Sequence, residues 1–167
     1  MSWSSRLSKR TEGPVKRNNG VLRVAVQNSQ HLVPIRRAKV RRIAEKTLNH
    51  FRVGREACLN ILFLDDFHMS ELHRRFLGKK GPTDVLAFSM QEGKPLKGDA
   101  FLLGDIAIST ETALRHARRF RSTVEEELQL YVIHGILHLL GYEDHGVARL
   151  KMRRKEKELL KSCQSGA

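Results

Sequence analysis

The sequence predicts an α+β domain with a small mixed β-sheet of about four strands packed with about five helices. Three observations support this prediction. Short apolar segments of strand length are interspersed with longer segments whose apolar residues recur with the helical period. Turn-forming stretches such as GKKGPT separate these segments. The chain has 167 residues, which is enough for one domain with a hydrophobic core and too few for two of ordinary size.

Four segments are predicted to form the strands. Residues 21–28, VLRVAVQN, alternate in side-chain character as a half-buried strand does. Residues 57–66, ACLNILFLDD, are apolar nearly throughout, which is typical of a central strand. Residues 83–90 and 101–109 are predicted to be the third and fourth strands, separated by the loop QEGKPLKGDA.

Five segments show the helical pattern, namely residues 34–51, 66–77, 110–120, 124–140 and 146–163. We expect Pro34 to open the first helix, because proline suits the first helical position. Thr123 and Glu126 have the spacing of a capping box at the start of the fourth helix, and Gly141 is expected to end it. The last helix is basic, and its buried residues are expected to be Leu150, Leu159 and Leu160.

The charge of the chain predicts a polyanionic partner. The net charge is +13, whereas solubility alone needs only about 2 to 8 in a small domain, so nucleic acid is the favoured partner. Residues 1–20 are predicted to be a disordered basic arm before a single domain of residues 21–163. Arginines in the first turns of the first helix oppose the helix dipole and are therefore candidate RNA contacts, with a solvated helix face as the alternative: Arg36, Arg37 and Arg41.

The cysteines and the hydropathy pattern favour a cytoplasmic protein with no membrane partner. Cys58 and Cys163 form no C-x-x-C pair, and nothing in their spacing indicates a disulfide-stapled secreted fold. No apolar segment approaches the ~20 residues that a membrane helix needs. The N-terminus has no apolar h-region, and a weak transit peptide is the alternative interpretation of its first 20 residues.

The segment HGILHLLGYEDHG, residues 134–146, places two histidines in an otherwise apolar helix. His134 and His138 are four residues apart, so their side chains project from one face of that helix. A third ligand from the YEDH stretch can approach after the helix ends, and three protein ligands with one open position are typical of a catalytic metal. The segment therefore predicts a metal site on a central helix and the turn after it, with core histidines as the alternative.

The residue after the first histidine narrows the chemistry. Zinc peptidases of the H-E-x-x-H type carry their general base there, and this chain has Gly135 instead. Phosphodiester cleavage depends less on that glutamate, because RNA carries its own 2′-hydroxyl and a metal stabilises the developing charge. With the basic charge of the chain, RNA is the expected substrate.

Three motifs, GPTDVLAFS, LLGDIAIS and HGILHLLGYEDH, resemble those of the YbeY family of metal-dependent endoribonucleases in order and spacing. The resemblance runs from about Val21 to Leu160. It implies one zinc ion per chain and cleavage of single-stranded RNA. It also implies roles in maturation of the 3′ end of small-subunit ribosomal RNA and in ribosome quality control. The implied partners are ribosomal RNA and ribosomal subunits, with ribosomal proteins or associated GTPases as further candidates.

The resemblance places His134 and His138 on the first two metal ligands of the family. The family usually reads G-Y-D-H after the helix, whereas this chain reads GYEDH and is one residue longer. By residue type the third ligand is His145, and by spacing it is Asp144. We expect His145, because a loop absorbs one extra residue more readily than a site changes its ligand, and keep Asp144 as the alternative.

Three further expectations come from the motifs. Leu77 stands where many family members have an arginine. The basic residues near it are candidates to contact RNA in its place, and the alternative is that they lie on an exposed helix face. These residues are Arg74, Arg75, Lys79 and Lys80. Asp84 and Asp105 are carboxylates beside or inside apolar strands, and either is a candidate to orient a metal-binding histidine, cap a turn or pair with an arginine. Catalytic residues beyond the metal ligands stay unassigned.

The leading hypothesis is a zinc-dependent, single-strand-specific endoribonuclease of ribosomal RNA maturation. The alternative is a ribosome-associated RNA-binding factor whose metal is structural and whose cleavage is weak or absent. A metal-dependent hydrolase of another substrate is a third possibility, because H-x-x-x-H with a trailing ligand is not restricted to nucleases.

Overall fold

The computed structural model describes residues 22–53, 57–90 and 101–165. The strands are β1 (Arg23–Asn28), β2 (Ala57–Leu64), β3 (Val85–Ser89) and β4 (Phe101–Ser109). The helices in these ranges are α1 (Arg37–His50), α2 (Asp66–Leu77), α3 (Thr110–Phe120), α4 (Val124–Leu139) and α5 (Ala148–Gln164). The predicted α+β fold is confirmed. Residues 1–20, predicted to be a basic arm, lie outside the described residues.

The sheet is mixed and has the strand order β1-β2-β4-β3. β1 pairs with β2 and β2 with β4 in parallel, whereas β3 runs antiparallel to β4 along the edge. The alternation expected for β1 is present, since Val24 and Val26 are buried while Arg23 and Ala25 are exposed. β2 lies between two neighbours, as its nearly continuous apolar sequence predicts.

Helix α4 is the centre of the molecule. It packs against the sheet at β3 and β4 and against helices α1, α3 and α5. Its core residues include Val132, Ile133 and Ile136, each fully buried. A Cβ at Gly135 would lie 2.7 Å from Cγ2 of Ile106 on β4, so glycine lets the helix approach the sheet closely. A glutamate at position 135 would meet the sheet rather than the metal ligands.

Helix α2 covers the opposite face of the sheet. Met69 and Leu72 pack there with Leu64, Leu86 and Ala107 in a second, smaller cluster. Asp65 caps the helix by accepting a hydrogen bond from the His68 amide at 2.9 Å. The two faces of β4 therefore serve different layers, since Ile106 and Ile108 face α4 and Ala107 faces α2.

Two details of the helices differ from the expectation. Helix α1 begins at Arg37 and not at Pro34, because the Gln30 side chain holds both the N–H and the C=O of buried Val33 and fixes the preceding residues as a loop. In α5, Leu150 is 60% exposed and Met152 is buried instead. Met152 and Leu159 lie two turns apart on one face, whereas Leu150 projects from the opposite side. Across the described ranges, every helix is too short or too polar to cross a bilayer.

Candidate metal centre

Local sequence signals begin and end the helix that carries the two histidines. Thr123 and Glu126 form the predicted capping box at the start of α4. At the other end Gly141 has a positive φ of 88°, its N–H donates to His138 O, and the Tyr142 N–H donates to Leu137 O. This pair of bonds is a Schellman motif, and it folds the chain back over the last turn of α4.

His134 is oriented by a carboxylate from α5. Its Nδ1 lies 2.6 Å from Oε1 of Glu156, and because a carboxylate accepts, Nδ1 carries a hydrogen, which leaves the lone pair of the neutral ring on Nε2. Glu156 is well shielded, with a side chain 13% exposed. Burial lowers the pKa of His134, but the hydrogen bond and charge of Glu156 outweigh it and raise that pKa overall. A carboxylate in this position fixes the ring and increases its basicity as a ligand.

His138 is oriented by the backbone that the Schellman motif turns back. Its Nδ1 lies 3.0 Å from the Tyr142 carbonyl oxygen, so Nδ1 donates there and Nε2 again keeps its lone pair. Burial, followed by the charge of His134, lowers the pKa of His138 and favours the neutral ring. The Nε2 atoms of His134 and His138 face each other at 3.0 Å.

The structure brings Asp144, the alternative third ligand, to the two histidines. One ligand atom from each of His134, His138 and Asp144 lies within 4.8 Å of the others. Asp144 Oδ2 is 3.8 Å from His138 Nε2. His145, the expected ligand, lies outside this group: its side chain is 77% exposed and its Nε2 is 3.3 Å from Glu143.

This donor set fits a metal ion. Two lone pairs facing each other at 3.0 Å repel unless a cation or a proton lies between them. The single N–H group of each neutral ring already donates a hydrogen bond, to Glu156 from His134 and to the Tyr142 carbonyl from His138. Neither neutral ring therefore has a hydrogen to donate to the other. Two imidazole nitrogens and a carboxylate oxygen are ligands that zinc accepts. The three residues can therefore hold one cation, as the histidine spacing predicts.

A cavity of about 520 Å³ opens beside the histidines. His134, Asp144 and Glu156 form its metal end, and Asp84 also lines it. Helix α5 contributes Arg149 and Arg153, and the remaining residues come mostly from α3 and α4: His116, Phe120, Glu127, Leu130, Tyr131 and Met152. A volume of this size lies in the range of ligand-binding pockets.

The two strand carboxylates have different places. Asp105 accepts a hydrogen bond from Nδ2 of Asn60 at 2.7 Å, and the alternation along β4 points it away from the face on which α4 lies. Glu156 is the carboxylate that reaches His134 instead. Asp84 accepts from Thr83 Oγ1 and from the Val85 amide, as a residue that caps a turn does, and it still faces the cavity.

The basic candidates from the sequence do not line this cavity. Arg36 approaches Glu125 at the far end of α4, and Arg41 donates to the Val24 carbonyl oxygen at 3.1 Å. The remaining candidates are exposed on the first turn of α1, or on the last turn of α2 and the segment after it: Arg37, Arg74, Arg75, Lys79 and Lys80. Their contact with RNA stays a prediction. The arginines that line the cavity are Arg149 and Arg153.

Comparison with known proteins identifies the family of this chain. A family model described as Endoribonuclease YbeY matches residues 25–164. The chain belongs to the YbeY family. This match contains all of the metal group and every element that positions it, and the resemblance of the three motifs is confirmed.

Curated relatives with the same name cover most of the chain. Endoribonuclease YbeY of Pelotomaculum thermopropionicum is 40% identical, over 82% of this chain and 94% of that protein. Its namesake from Syntrophus aciditrophicus is 38% identical, over 81% of this chain and 86% of that protein. The solution structure of TM1509 from Thermotoga maritima superposes with a TM-score of 0.58 at 26% identity, over 85% of this chain and 89% of that one. As a YbeY member, the chain is an endoribonuclease that acts on RNA.

Glu156 is the site residue that sequence reasoning missed. It lies four residues after Met152 and three before Leu159, which are both buried. A carboxylate on the apolar face of an amphipathic helix needs a partner in the core. The position of Glu156 on the buried face could therefore have predicted its role. The incorrect prediction that Leu150 is buried assigned the buried face to the wrong side of the helix.

Proposed function

We propose that this YbeY family member is a zinc-dependent endoribonuclease specific for single-stranded RNA, with one zinc ion per chain. One observation carries the proposal: the facing Nε2 atoms of His134 and His138, with the Asp144 carboxylate beside them at the end of an open cavity. Because both Nδ1 atoms are already bound, the lone pairs are oriented toward a common point. Preorganised ligands of this kind are expected of a catalytic metal site.

The residues around that point would have different roles in binding the ion and the substrate. His134, His138 and Asp144 would hold the ion, and three protein ligands leave a position for water or substrate. Zinc in such a site supplies a bound water with a pKa near 7 and polarises a phosphoryl oxygen. Glu156 and the Tyr142 carbonyl keep the two rings in place. Arg149 and Arg153 supply positive charge along the cavity.

We further propose Asp144 as the third ligand, in preference to His145. A carboxylate oxygen of Asp144 lies within 4.8 Å of a ring nitrogen of each histidine, whereas the side chain of His145 is 77% exposed. The extra residue in GYEDH moves the histidine one place along the turn and leaves a carboxylate in its position. Asp144→Ala should therefore lower zinc content strongly, and His145→Ala should leave it unchanged. The opposite result would restore the three-histidine set.

The function is tested by bound zinc and RNA cleavage, measured together on the native protein and on His138→Ala. We expect about one zinc per chain with cleavage of single-stranded RNA in the native protein, and loss of both in the variant. Arg154→Ala, an exposed change on α5, is the control for folding and purification. Zinc without cleavage would instead favour the RNA-binding factor with a structural metal. Absence of zinc would contradict the proposal.

The cellular role we propose is maturation of the 3′ end of small-subunit ribosomal RNA and ribosome quality control, in the cytoplasm. Membership of the YbeY family and the net charge of +13 support it. Small subunits carrying unprocessed RNA should be trimmed by the native protein and not by His138→Ala. Cleavage of free RNA with no trimming of subunits would contradict this role while leaving the nuclease proposal intact.

A further inference from the structure

The cavity beside the metal ligands has a second end whose chemistry the metal does not explain. Phe120, the last residue of α3, is 61% exposed although it lines the cavity. His116 lies one turn earlier, with ring centroids 5.6 Å apart and an angle of 73° between the planes. Together they form an aromatic wall, which we call the α3 wall, in the same cavity as His134 and Asp144.

The α3 wall is held in place by the core. The Tyr131 hydroxyl lies 2.6 Å from Nδ1 of His116, and Tyr131 is 3% exposed. Burial raises the pKa of Tyr131 well above its usual value, so its hydroxyl keeps its hydrogen and forms a neutral hydrogen bond with the ring. The Arg119 guanidinium lies 5.4 Å from the Phe120 centroid and adds positive charge beside it.

Two arginines of the cavity are available to an anion. Arg149 and Arg153 are four residues apart on α5 and line the cavity together. Within the part of the chain that the structure describes, neither guanidinium has an ion-pair or hydrogen-bond partner. The carboxylates of the cavity are engaged. Glu156 binds His134, and Glu127 accepts from Ser122 Oγ at 2.5 Å. Asp84 accepts from the hydroxyl and amide of its two chain neighbours, and Asp144 belongs to the candidate metal group.

We propose that this cavity is a nucleotide subsite, in which the α3 wall stacks an unpaired base and the two α5 arginines hold the flanking phosphates. The inference rests on the proposed function and names the part of the site that selects single strands. A base can stack on a protein ring only when it is unstacked from a duplex. An aromatic wall beside the ligands therefore favours single-stranded substrate without reading its sequence.

The test is equilibrium binding of the zinc-loaded full chain to two labelled strands that a ribonuclease does not cut. One is a single-stranded oligothymidine of roughly 12 nucleotides, and the other is an abasic strand of equal length with the same phosphates. Phe120→Ala should weaken binding of oligothymidine about tenfold and leave binding of the abasic strand unchanged. Phe120→Trp should bind both strands as the native protein does.

Phe67→Ala is the matched control, because Phe67 on α2 is 69% exposed and does not line the cavity. It should leave both affinities unchanged. Equal loss on both strands in Phe120→Ala, or no loss at all, would overturn the base-stacking half of the proposal. Stacking in a protein that does not cleave RNA would instead reject the proposed function and keep the subsite.

The arginines are tested by the salt dependence of oligothymidine affinity. Arg153→Ala should reduce the slope of log affinity against log salt by about one, because one phosphate contact is removed. Arg154→Ala removes the same charge from the neighbouring face of α5 and should keep the native slope. Equal slopes in the two variants would overturn the phosphate half of the proposal.

Discussion

Two polar clusters lie at the layer boundaries of this protein. They differ in whether every polar group finds a hydrogen-bond partner within its own cluster. At the junction of α2 and α3, Asp66 accepts hydrogen bonds from Ser109 Oγ at 2.5 Å and Thr112 Oγ1 at 2.9 Å, and it pairs with Arg115. Donors and acceptor match there, so the cluster is complete. When both rings are neutral, the cluster of His134 and His138 has two acceptors facing each other with no donor between them.

The difference separates a structural cluster from a functional one. A buried carboxylate surrounded by donors stabilises the fold because each polar group is satisfied. Lone pairs that converge with fixed orientations repel each other. They therefore favour the folded protein with a bound cation over the folded protein without one. Residue type and burial do not distinguish the two clusters, since both contain partly buried ionisable groups. The clusters differ in whether hydrogen-bond donors and acceptors are matched.

Removal of the metal is the largest expected effect. A strong chelator should abolish RNA cleavage and lower the melting temperature, because an ion that binds only the folded state stabilises it by about 2.7 kcal/mol at a concentration 100 times its dissociation constant. The melting temperature of His138→Ala should be the same with and without chelator. Scanning calorimetry and a cleavage assay on matched samples measure both. A chelator effect of equal size in His138→Ala would place the metal elsewhere.

The next largest effect is expected on stability at the Asp66 cluster. Asp66→Ala leaves buried Ser109 and Thr112 without their acceptor and should lower the free energy of unfolding by about 3 kcal/mol. Its zinc content per folded chain should equal that of the native protein. Urea unfolding and elemental analysis measure the two quantities. Glu71→Ala, an exposed change on the same helix, serves as the control and should lie within about 0.5 kcal/mol of native.

Glu156→Gln tests the support of the histidine cluster alone, because it weakens the hydrogen bond that orients His134 without removing a metal ligand. We expect zinc affinity to fall about 10- to 100-fold, as it does when such supporting carboxylates are changed. Glu158→Gln on the exposed side of the same helix is the matched control. Competition with a chromophoric chelator gives the affinities. Equal affinities in the two variants would show that His134 needs no carboxylate.

A smaller effect is expected from acid. Burial raises the pKa of Asp66, but the hydrogen bonds from Arg115, Ser109 and Thr112 outweigh it, so that pKa lies below 3.8. Its contribution to stability is therefore present above 3.8 and is lost as pH falls through the folded value. The stability difference between native protein and Asp66→Asn should be constant from pH 6 to about 5 and shrink below about 4. A constant difference down to pH 2 would contradict this assignment.

Much of the fold and part of the site follow from local patterns. Alternation in β1, the apolar run in β2 and the periodicity of α4 depend on neighbours a few residues apart, and these elements formed as predicted. The capping box at Thr123 and the glycine at position 141 are equally local. The prediction that Pro34 opens α1 was wrong, because a contact of Gln30 with buried Val33 overrides the preference of proline.

The sequence by itself determined that two histidines share one face of a helix that ends just before Gly141, since helical period and the αL preference of glycine are properties of short segments. The tertiary structure decided their partners. Glu156 is 22 residues from His134 and reaches it because α5 docks on α4. The turn between α4 and α5 places Asp144 beside the histidines and leaves His145 exposed. Contacts between elements depend on how whole helices pack, and no local pattern encodes that geometry.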